Sequence, residues 1–446
     1  MSFDICDASV SLKDPEVLDD WNSMIRAFLA HGQATPQYLG AVLDKAPGFA
    51  MGHAAKGLFS LMLGRSEMIA VAQDAAKTAR ANVGAASQRE ALWVQALEAW
   101  LQGRPSGAIA AMEAALAIQP RDTLSAKVSH AIRFILGDAK GMRASVENVM
   151  DAHKVHPLRG YILGCHAFAL EETGDYQDAE QAGLEGLIHA PDDAWGLHAV
   201  AHVYDMTAKP DAGITLIESH ASAWDHCNNF RYHVWWHKAL LHLDRGEIDV
   251  ALALYDTQIR ADKTDDYRDI SNATSLLMRL ELEGRNVGDR WDELAALSEA
   301  RIDDGCVVFA DLHYALALGA AGNGAAQTHM RERYAKEARR DGELAERIAD
   351  PGKAAMAGLE AFSEGRYDAA FANLLAARPA MQTIGGSHAQ RDVFERITID
   401  AGVRAGHADA VEAVLDDRTA RRAGRRDRFA TTRYAALSDM RRIPAQ

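Results

Sequence analysis

Apolar positions along most of the chain fall into short helical segments that occur in pairs, and no stretch alternates between apolar and polar residues as a strand would. In each pair, an apolar helix is followed by a turn with glycine and then by a helix with alanine at its close-packed positions. Residues 164–191 show the unit, with Gly174 ending the first helix and Pro191 closing the second. The pattern predicts an all-α protein built from helix pairs.

Turns of this kind recur mostly 34 to 43 residues apart, and they resemble the turns of tetratricopeptide repeats. They occur at Gly64, Gly103, Gly137, Gly174, Gly246, Gly284, Gly322, Gly365 and Gly406. The interval between Gly174 and Gly246 is doubled, and residues 207–210 stand where a glycine turn is missing. One helix pair cannot bury its apolar face alone. We therefore expect a right-handed α-solenoid of about ten or eleven pairs that encloses a concave channel.

We expect a single superhelical domain over residues 1–446. It would comprise an N-terminal cap region at 1–48, helix-pair repeats at 49–415 and an arginine-rich C-terminal cap at 416–446. The nine arginines of this last segment are expected on a solvated helix, because the chain as a whole is acidic, with a formal net charge of −15. The same acidity argues against nucleic acid as a partner.

The compartment is inferred from features that the sequence lacks. No export signal stands at the N-terminus, and no run of about 18 apolar residues would span a membrane. The four cysteines, Cys6, Cys165, Cys227 and Cys306, are far apart and form no CxxC pair. We expect reduced thiols in a cytoplasmic protein without a membrane partner. Apolar strips at the ends of the array would permit a homodimer.

Four segments are more specific than generic helical repeats. They are AWGLHAVAHVYDM (Ala194–Met206), YHVWWHKALLHLDRGEIDVALALYD (residues 232–256), FADLHYALALGAAG (residues 309–322) and IGGSHAQRDVFE (residues 384–395). Together they resemble the tetratricopeptide repeat protein 38 family, and the resemblance extends over nearly the whole chain from Met51 onward. It implies an α-solenoid and attaches no reaction to it.

Histidines stand out by their placement. His198 and His202 are four residues apart, as are His233 and His237. Residues four apart lie on the same face of a helix. Two such pairs on consecutive units could meet across the concave wall.

The histidines also share a register relative to the turns. His237 lies nine residues before Gly246, and His313 lies nine residues before Gly322. His198 lies nine residues before Thr207, which stands where the missing glycine would be. Equivalent positions in a solenoid form a row along one surface, and His166 is offset from this row by one residue.

Two chemistries suit such a row. His198, His202, His233 and His237 could ligate a divalent transition metal such as zinc, because neutral imidazole is a favoured ligand. Alternatively, the catalytic acid–base groups would be His198, His237, His313 and Asp205. The competing interpretation is that these histidines pack between helices with their ring nitrogens satisfied locally.

The segment GGSHAQRD (residues 385–392) is not a repeat consensus. Ser387 is a candidate N-cap, so the amides of the following turn could attract an anion, and Arg391 could clamp a carboxylate. The alternative is a connecting loop whose Arg391 pairs with the C-terminus of a helix. The full set expected to line a ligand site is His53, Glu90, His166, Glu172, His202, His233, Trp236, His388 and Arg391.

Two functions follow from different classes. One is a small-molecule site in the channel, with hydrolysis as the reaction class and with or without a metal. The other is a non-catalytic scaffold that binds a peptide or protein segment, which is the usual employment of such repeats. Histidines that share one site favour the first function, and histidines packed in separate inter-helix cores favour the second.

Overall fold

A computed structural model of the protein describes residues 2–442, so the last four residues of the predicted C-terminal cap lie outside it. The described chain is almost entirely helical. Its one sheet is the antiparallel hairpin of β1 (Ser2–Phe3) and β2 (Ser9–Val10). The all-α class with stacked helix pairs, predicted from the sequence, is confirmed.

The chain divides into two compact units. Unit 1 comprises Met1–Val200 and His220–Arg231, and unit 2 comprises Ala201–Ser219 and Tyr232–Gln446. The first helices of unit 1 are α1 (Pro15–Leu29), α2 (Thr35–Lys45), α3 (Ala50–Leu61), α4 (Glu67–Asn82) and α5 (Gln88–Leu101). They are followed by α6 (Pro105–Ile118), α7 (Thr123–Ile135), α8 (Ala139–His153), α9 (Arg159–Glu172) and α10 (Tyr176–His189).

The next three helices are α11 (Ala194–Met206), α12 (Pro210–Ser219) and α13 (Phe230–Asp244). Unit 2 continues with α14 (Ile248–Leu254), α15 (Tyr267–Leu282), α16 (Arg290–Glu299), α17 (Val308–Ala320), α18 (Gly324–Glu337) and α19 (Glu343–Arg347). Its last helices are α20 (Lys353–Ser363), α21 (Tyr367–Ala377), α22 (His388–Ala405), α23 (Ala408–Arg421) and α24 (Arg428–Arg442). Two π-helical segments, Tyr255–Ile259 and Ile348–Gly352, follow α14 and α19.

The predicted turns are confirmed by their backbone conformation. All nine glycines have positive φ, and Gly406 is the left-handed cap of α22 with φ 84°. At the turn without glycine, Ala208 takes the same conformation with φ 54°. The turn at residues 207–210 therefore has the conformation of the glycine turns. This conformation is strained for alanine, because its Cβ atom is disfavoured there.

Each unit has its own core. In unit 1, Trp21, Met51, Trp93 and Leu97 are fully buried. In unit 2, α15 is buried on nearly all faces, with Leu276 and other apolar residues in the core. The same helix also buries polar side chains, among them Asn272, Ser275 and Arg279. This helix is the support on which the candidate site of unit 2 is built.

The prediction of a solvated arginine-rich C-terminal helix is wrong for two arginines. Arg418 and Arg422 are each 3% exposed, and both pair with the buried carboxylate of Asp427 in unit 2. Arg421, between them, is half exposed, as predicted. The cause is tertiary: a buried aspartate requires a counter-charge, and the sequence does not show which arginine supplies it.

None of the helices within residues 2–442 combines the length and the apolar character that crossing a lipid bilayer requires.

Candidate histidine site

Three of the predicted metal ligands converge inside unit 2. His202 comes from α11, and His233 and His237 come from α13. One candidate ligand atom from each lies within 4.8 Å of those of the other two. The Nε2 atoms of His233 and His237 are 3.1 Å apart, and the rings of His202 and His237 have centroids 4.3 Å apart. We call these three residues the histidine triplet.

The local sequence explains the convergence. The four-residue spacing of His233 and His237 places both rings on one face of α13. Trp236, between them, is fully buried and stacks on His233 with a centroid distance of 5.3 Å. Its indole N–H donates to Ser275 Oγ at 3.2 Å, and the guanidinium of Arg279 lies 5.5 Å from its ring centre. Trp236 therefore forms a wall behind the triplet.

Burial sets the protonation of His233, one member of the triplet. His202, His233 and His237 are 0%, 8% and 1% exposed. Burial lowers the pKa of His233 to about 4, and Arg268 adds to this effect, whereas hydrogen bonding with Asn272 acts in the opposite direction. His233 is therefore neutral near pH 7, and one of its ring nitrogens carries a lone pair.

Polar side chains join the first turn of α22 to α15 beside the triplet. The side chain of Gln390 donates from Nε2 to Oδ1 of Asn272 at 3.1 Å. Asn272 also opposes the effect of burial on the pKa of His233. Gln390 is itself fixed by Ser387, whose backbone N–H donates to Gln390 Oε1 at 3.0 Å.

The GGSHAQRD segment starts α22 as predicted. Ser387 is the N-cap, and it forms a reciprocal capping box with Gln390. His388 lies next to the triplet, with its ring centroid 5.6 Å from that of His202. Arg391 donates from Nη1 to the carbonyl oxygen of Gly386. The guanidinium thus turns back on the loop that precedes its own helix.

Two predicted catalytic residues lie elsewhere in unit 2. Nδ1 of His313 is 2.7 Å from the carbonyl oxygen of Phe309, and its ring packs against Phe309 and Phe394. Burial lowers the pKa of His313 to about 3. Asp205 accepts from Arg422 at 3.1 Å. It lines a cavity of about 10 Å³, room for about one water molecule.

His198 belongs to unit 1, where it lies among aromatic rings. Its Nδ1 is 2.8 Å from the carbonyl oxygen of Trp195, and its ring stacks on Phe168 at 5.2 Å. Phe230 meets the same ring edge-on at 5.2 Å. Within unit 1 this environment matches the packed-histidine interpretation.

The remaining predicted residues also lie in unit 1. His53 Nε2 is 2.8 Å from the carbonyl oxygen of Pro47, and His166 Nε2 is 3.4 Å from a carboxylate oxygen of Glu147. Glu172 follows the fully buried Glu171 at the end of α9, and their carboxylates lie within 4.8 Å of each other.

Glu90 has a structural task in unit 1. Its carboxylate accepts from the backbone N–H groups of Ser11 and Ser87 at 2.9 and 2.5 Å, and it completes the capping box of α5. The hydroxyl group of Ser11 donates to the same carboxylate, and the backbone N–H of Glu90 donates to Ser87 Oγ. These hydrogen bonds satisfy the polar groups of a residue that is fully buried.

Sequence reasoning missed the contribution of α15. Asn272, Ser275 and Arg279 occupy positions i, i+3 and i+7, which is one face of a helix. The spacing of these three polar residues along one face of the helix was the available signal. Arg279 donates to the carbonyl oxygen of Ala389 at 2.7 Å, so this face holds the first turn of α22 against α15.

Comparison with known proteins adds a fold likeness. No protein-family model matches the chain. The human IFIT1 dimer with m7Gppp-AAAA is similar over 98% of this chain and 96% of that one, at 13% identity and a TM-score of 0.39. Naa15/Naa10 bound to HypK-THB is similar over 95% and 66%, at 14% identity and a TM-score of 0.26. At these values the likeness concerns helical architecture and carries nothing about function.

Proposed function

We propose that unit 2 is a metal-binding module in which His202, His233 and His237 ligate a divalent transition metal, with zinc as the first candidate. The observation that carries the proposal is the 3.1 Å separation between the Nε2 atoms of His233 and His237. Two imidazoles bound to one tetrahedral zinc at about 2.0–2.1 Å have their nitrogens about 3.3 Å apart. The two hydrogen-bonded side chains are thus already close to the separation that the metal requires.

The chemistry of the donors supports the same assignment. Imidazole suits zinc, copper, iron and nickel, whereas calcium and magnesium prefer oxygen ligands. Ligation requires the neutral ring, and burial favours that form in His233. The sequence-based ligand set also contained His198, which belongs to unit 1, and the proposal rests on the three histidines of unit 2.

Three protein ligands leave a fourth position open on a tetrahedral metal, which is the arrangement of catalytic zinc. A zinc ion held by His202, His233 and His237 would supply the activation of water at neutral pH. We therefore propose hydrolysis of a small carbonyl compound as the activity. His388, whose ring centroid lies 5.6 Å from that of His202, is a further acid–base group of unit 2.

We also propose that the chain is a member of the tetratricopeptide repeat protein 38 family, on the four segments that resemble it. The proposed compartment is the cytoplasm, where its free cysteines, Cys6, Cys165, Cys227 and Cys306, would stay reduced.

The test is equilibrium competition for zinc between a chromophoric chelator and the untagged, metal-stripped protein. We expect one tight site in the wild type and at least a 100-fold loss of affinity in His233→Ala and His237→Ala. His407→Ala is the matched control, because His407 is an exposed histidine of the same unit. A wild type that holds zinc no more tightly than the two triplet variants would leave a peptide-binding scaffold as the better account.

If zinc binds, a screen of small esters and amides follows. Activity should require both the metal and the triplet, and should survive His407→Ala. Activity that persists in His237→Ala after metal removal would show that the hydrolysis does not occur at the metal site.

A further inference from the structure

We propose that Trp236 and Ser275 are positioning residues that set the ring angles of two histidines of the triplet, His233 and His237, and so preorganise the proposed metal site. The inference rests on the proposed metal site and deepens it. It is carried by three ring contacts and two hydrogen bonds, all of them within unit 2.

The orientation of a ligating imidazole has to be set by its neighbours. The last torsion of a histidine side chain is broad, so the backbone of α13 determines roughly where each ring lies but not how it is turned. The lone pair of a ring nitrogen lies in the plane of the ring, and a turned ring therefore directs it away from the metal. Groups around the ligands of a metal site commonly fix this orientation.

The indole of Trp236 contacts both rings. It stacks on His233 with an interplanar angle of 15° and a centroid distance of 5.3 Å. It meets His237 edge-on, with an interplanar angle of 76° and a centroid distance of 4.9 Å. The planes of the two imidazoles are themselves 79° apart, and their centroids are separated by 4.6 Å. The indole is thus parallel to one imidazole and nearly perpendicular to the other, and its plane matches the angle between them.

Ser275 of α15 fixes the indole. An indole N–H can only donate, and the acceptor here is Ser275 Oγ at 3.2 Å. The hydroxyl group of Ser275 donates in turn to the carbonyl oxygen of Asn272 at 3.0 Å, which leaves its lone pairs for Trp236. Trp236 and Ser275 are 0% and 1% exposed, so water does not compete for the bond between them.

Arg279 supports the same indole from one turn further along α15. Its guanidinium lies over the ring, 5.5 Å from the ring centre. The guanidinium is held by the backbone carbonyl oxygens of Ser275 at 3.1 Å and Ala389 at 2.7 Å. The helix α15 therefore restrains the indole both at its N–H group and over its ring.

The decisive variant is Ser275→Ala. It removes the acceptor of a buried indole N–H, and because an unsatisfied buried donor is costly, the indole should turn toward another partner. The ring of His233 then loses its stacked neighbour. We expect zinc to bind about 10-fold more weakly, as when a supporting group around a metal ligand is lost. Ser275→Thr keeps the hydroxyl group and should retain the wild-type orientation and affinity.

Ser125→Ala is the matched control. Trp93 is another fully buried tryptophan, and its indole N–H donates to Ser125 Oγ at 2.9 Å. This pair belongs to unit 1, whereas the triplet belongs to unit 2. Both alanine variants remove the same kind of bond, so both should lower the midpoint of urea unfolding. Only Ser275→Ala should change the triplet.

Two measurements separate positioning from stability. The first is the ¹H chemical shifts of the His233 ring in the metal-free protein. The ring current of Trp236 should move these shifts upfield in the wild type, in Ser275→Thr and in Ser125→Ala, and the displacement should shrink in Ser275→Ala. The second measurement is zinc competition with the same four proteins.

The two proposals fail in different ways. If Ser275→Ala changes the His233 shifts but the wild type binds no zinc, the indole still orients the ring and the metal site falls. If the wild type binds zinc and Ser275→Ala binds it equally well, the positioning role is overturned. Unchanged His233 shifts in Ser275→Ala would also overturn it. So would an equal loss of zinc affinity in Ser125→Ala, because the effect would then be general destabilisation.

Discussion

Arg418 lies against Asp392 with its Nε atom 2.7 Å from Oδ1, and both charged groups are withdrawn from solvent. Arg418 also donates to Asp427 at 2.6 Å. Burial alone would raise the pKa of Asp392, but Arg418 and Arg396 together hold it well below its usual value. One arginine of α23 thus neutralises two buried carboxylates.

Arg418→Met should destabilise unit 2 by about 3–5 kcal/mol, because it leaves buried carboxylates without their main counter-charge. Arg421→Met, three residues away, should cost less than about 1 kcal/mol, since Arg421 is half exposed and Arg378 also pairs with Glu395 and Asp417. Urea unfolding at pH 7 measures both. Equal losses for the two variants would mean that the buried network does not hold α23 in place.

Ala208→Gly should stabilise the protein by about 1 kcal/mol. Ala208 has φ 54°, a left-handed conformation that costs a residue with a Cβ about 1–2 kcal/mol and costs glycine little. The control is Ala372→Gly at an exposed position within α21, which should destabilise by about 1 kcal/mol. Thermal unfolding should therefore move in opposite directions for the two substitutions. A lower melting temperature for Ala208→Gly would show that the turn is not strained.

His313 should make the folded state sensitive to acid. Its pKa is about 3 in the folded protein, where burial is the main cause and Arg279 adds to it, whereas an unfolded histidine titrates near 6.5. Between these two pKa values, His313 binds a proton in the unfolded chain but not in the folded protein. Its contribution is complete above about pH 6.5 and is lost as the pH falls toward 3.

The comparison is with His313→Gln, which does not titrate. Below about pH 6, the free energy of unfolding of the wild type should fall by about 1.4 kcal/mol per pH unit relative to that of His313→Gln. Urea unfolding at pH 7, 6 and 5 gives this slope, with the exposed His407→Gln as control. If the difference between the two proteins does not change with pH, His313 takes up its proton equally in the folded and unfolded states, and this prediction is wrong.

The sequence was sufficient for features that depend on neighbours along the chain. The helix pairs follow from glycine turns such as Gly406, and the proximity of His233 and His237 follows from their spacing on one helix. Ser387 was identifiable as an N-cap because the cap and its partner Gln390 are three residues apart. Each of these relationships is local, so backbone geometry alone fixes it.

The rest depends on contacts between distant residues. The bond from Gln390 to Asn272 joins positions 118 residues apart, and nothing in either local sequence announces it. Asp205 was expected beside the histidines, yet its carboxylate pairs with Arg422, 217 residues later. Such partners are determined by how helices stack, and the repeat pattern leaves their identity open.

The most direct measurement is an anomalous difference map, collected at the zinc absorption edge from crystals of the untagged protein grown with one equivalent of zinc. The account predicts a single strong peak about 2.1 Å from a ring nitrogen of each of His202, His233 and His237. No peak among these three rings, or zinc bound only at exposed histidines such as His407, would contradict it.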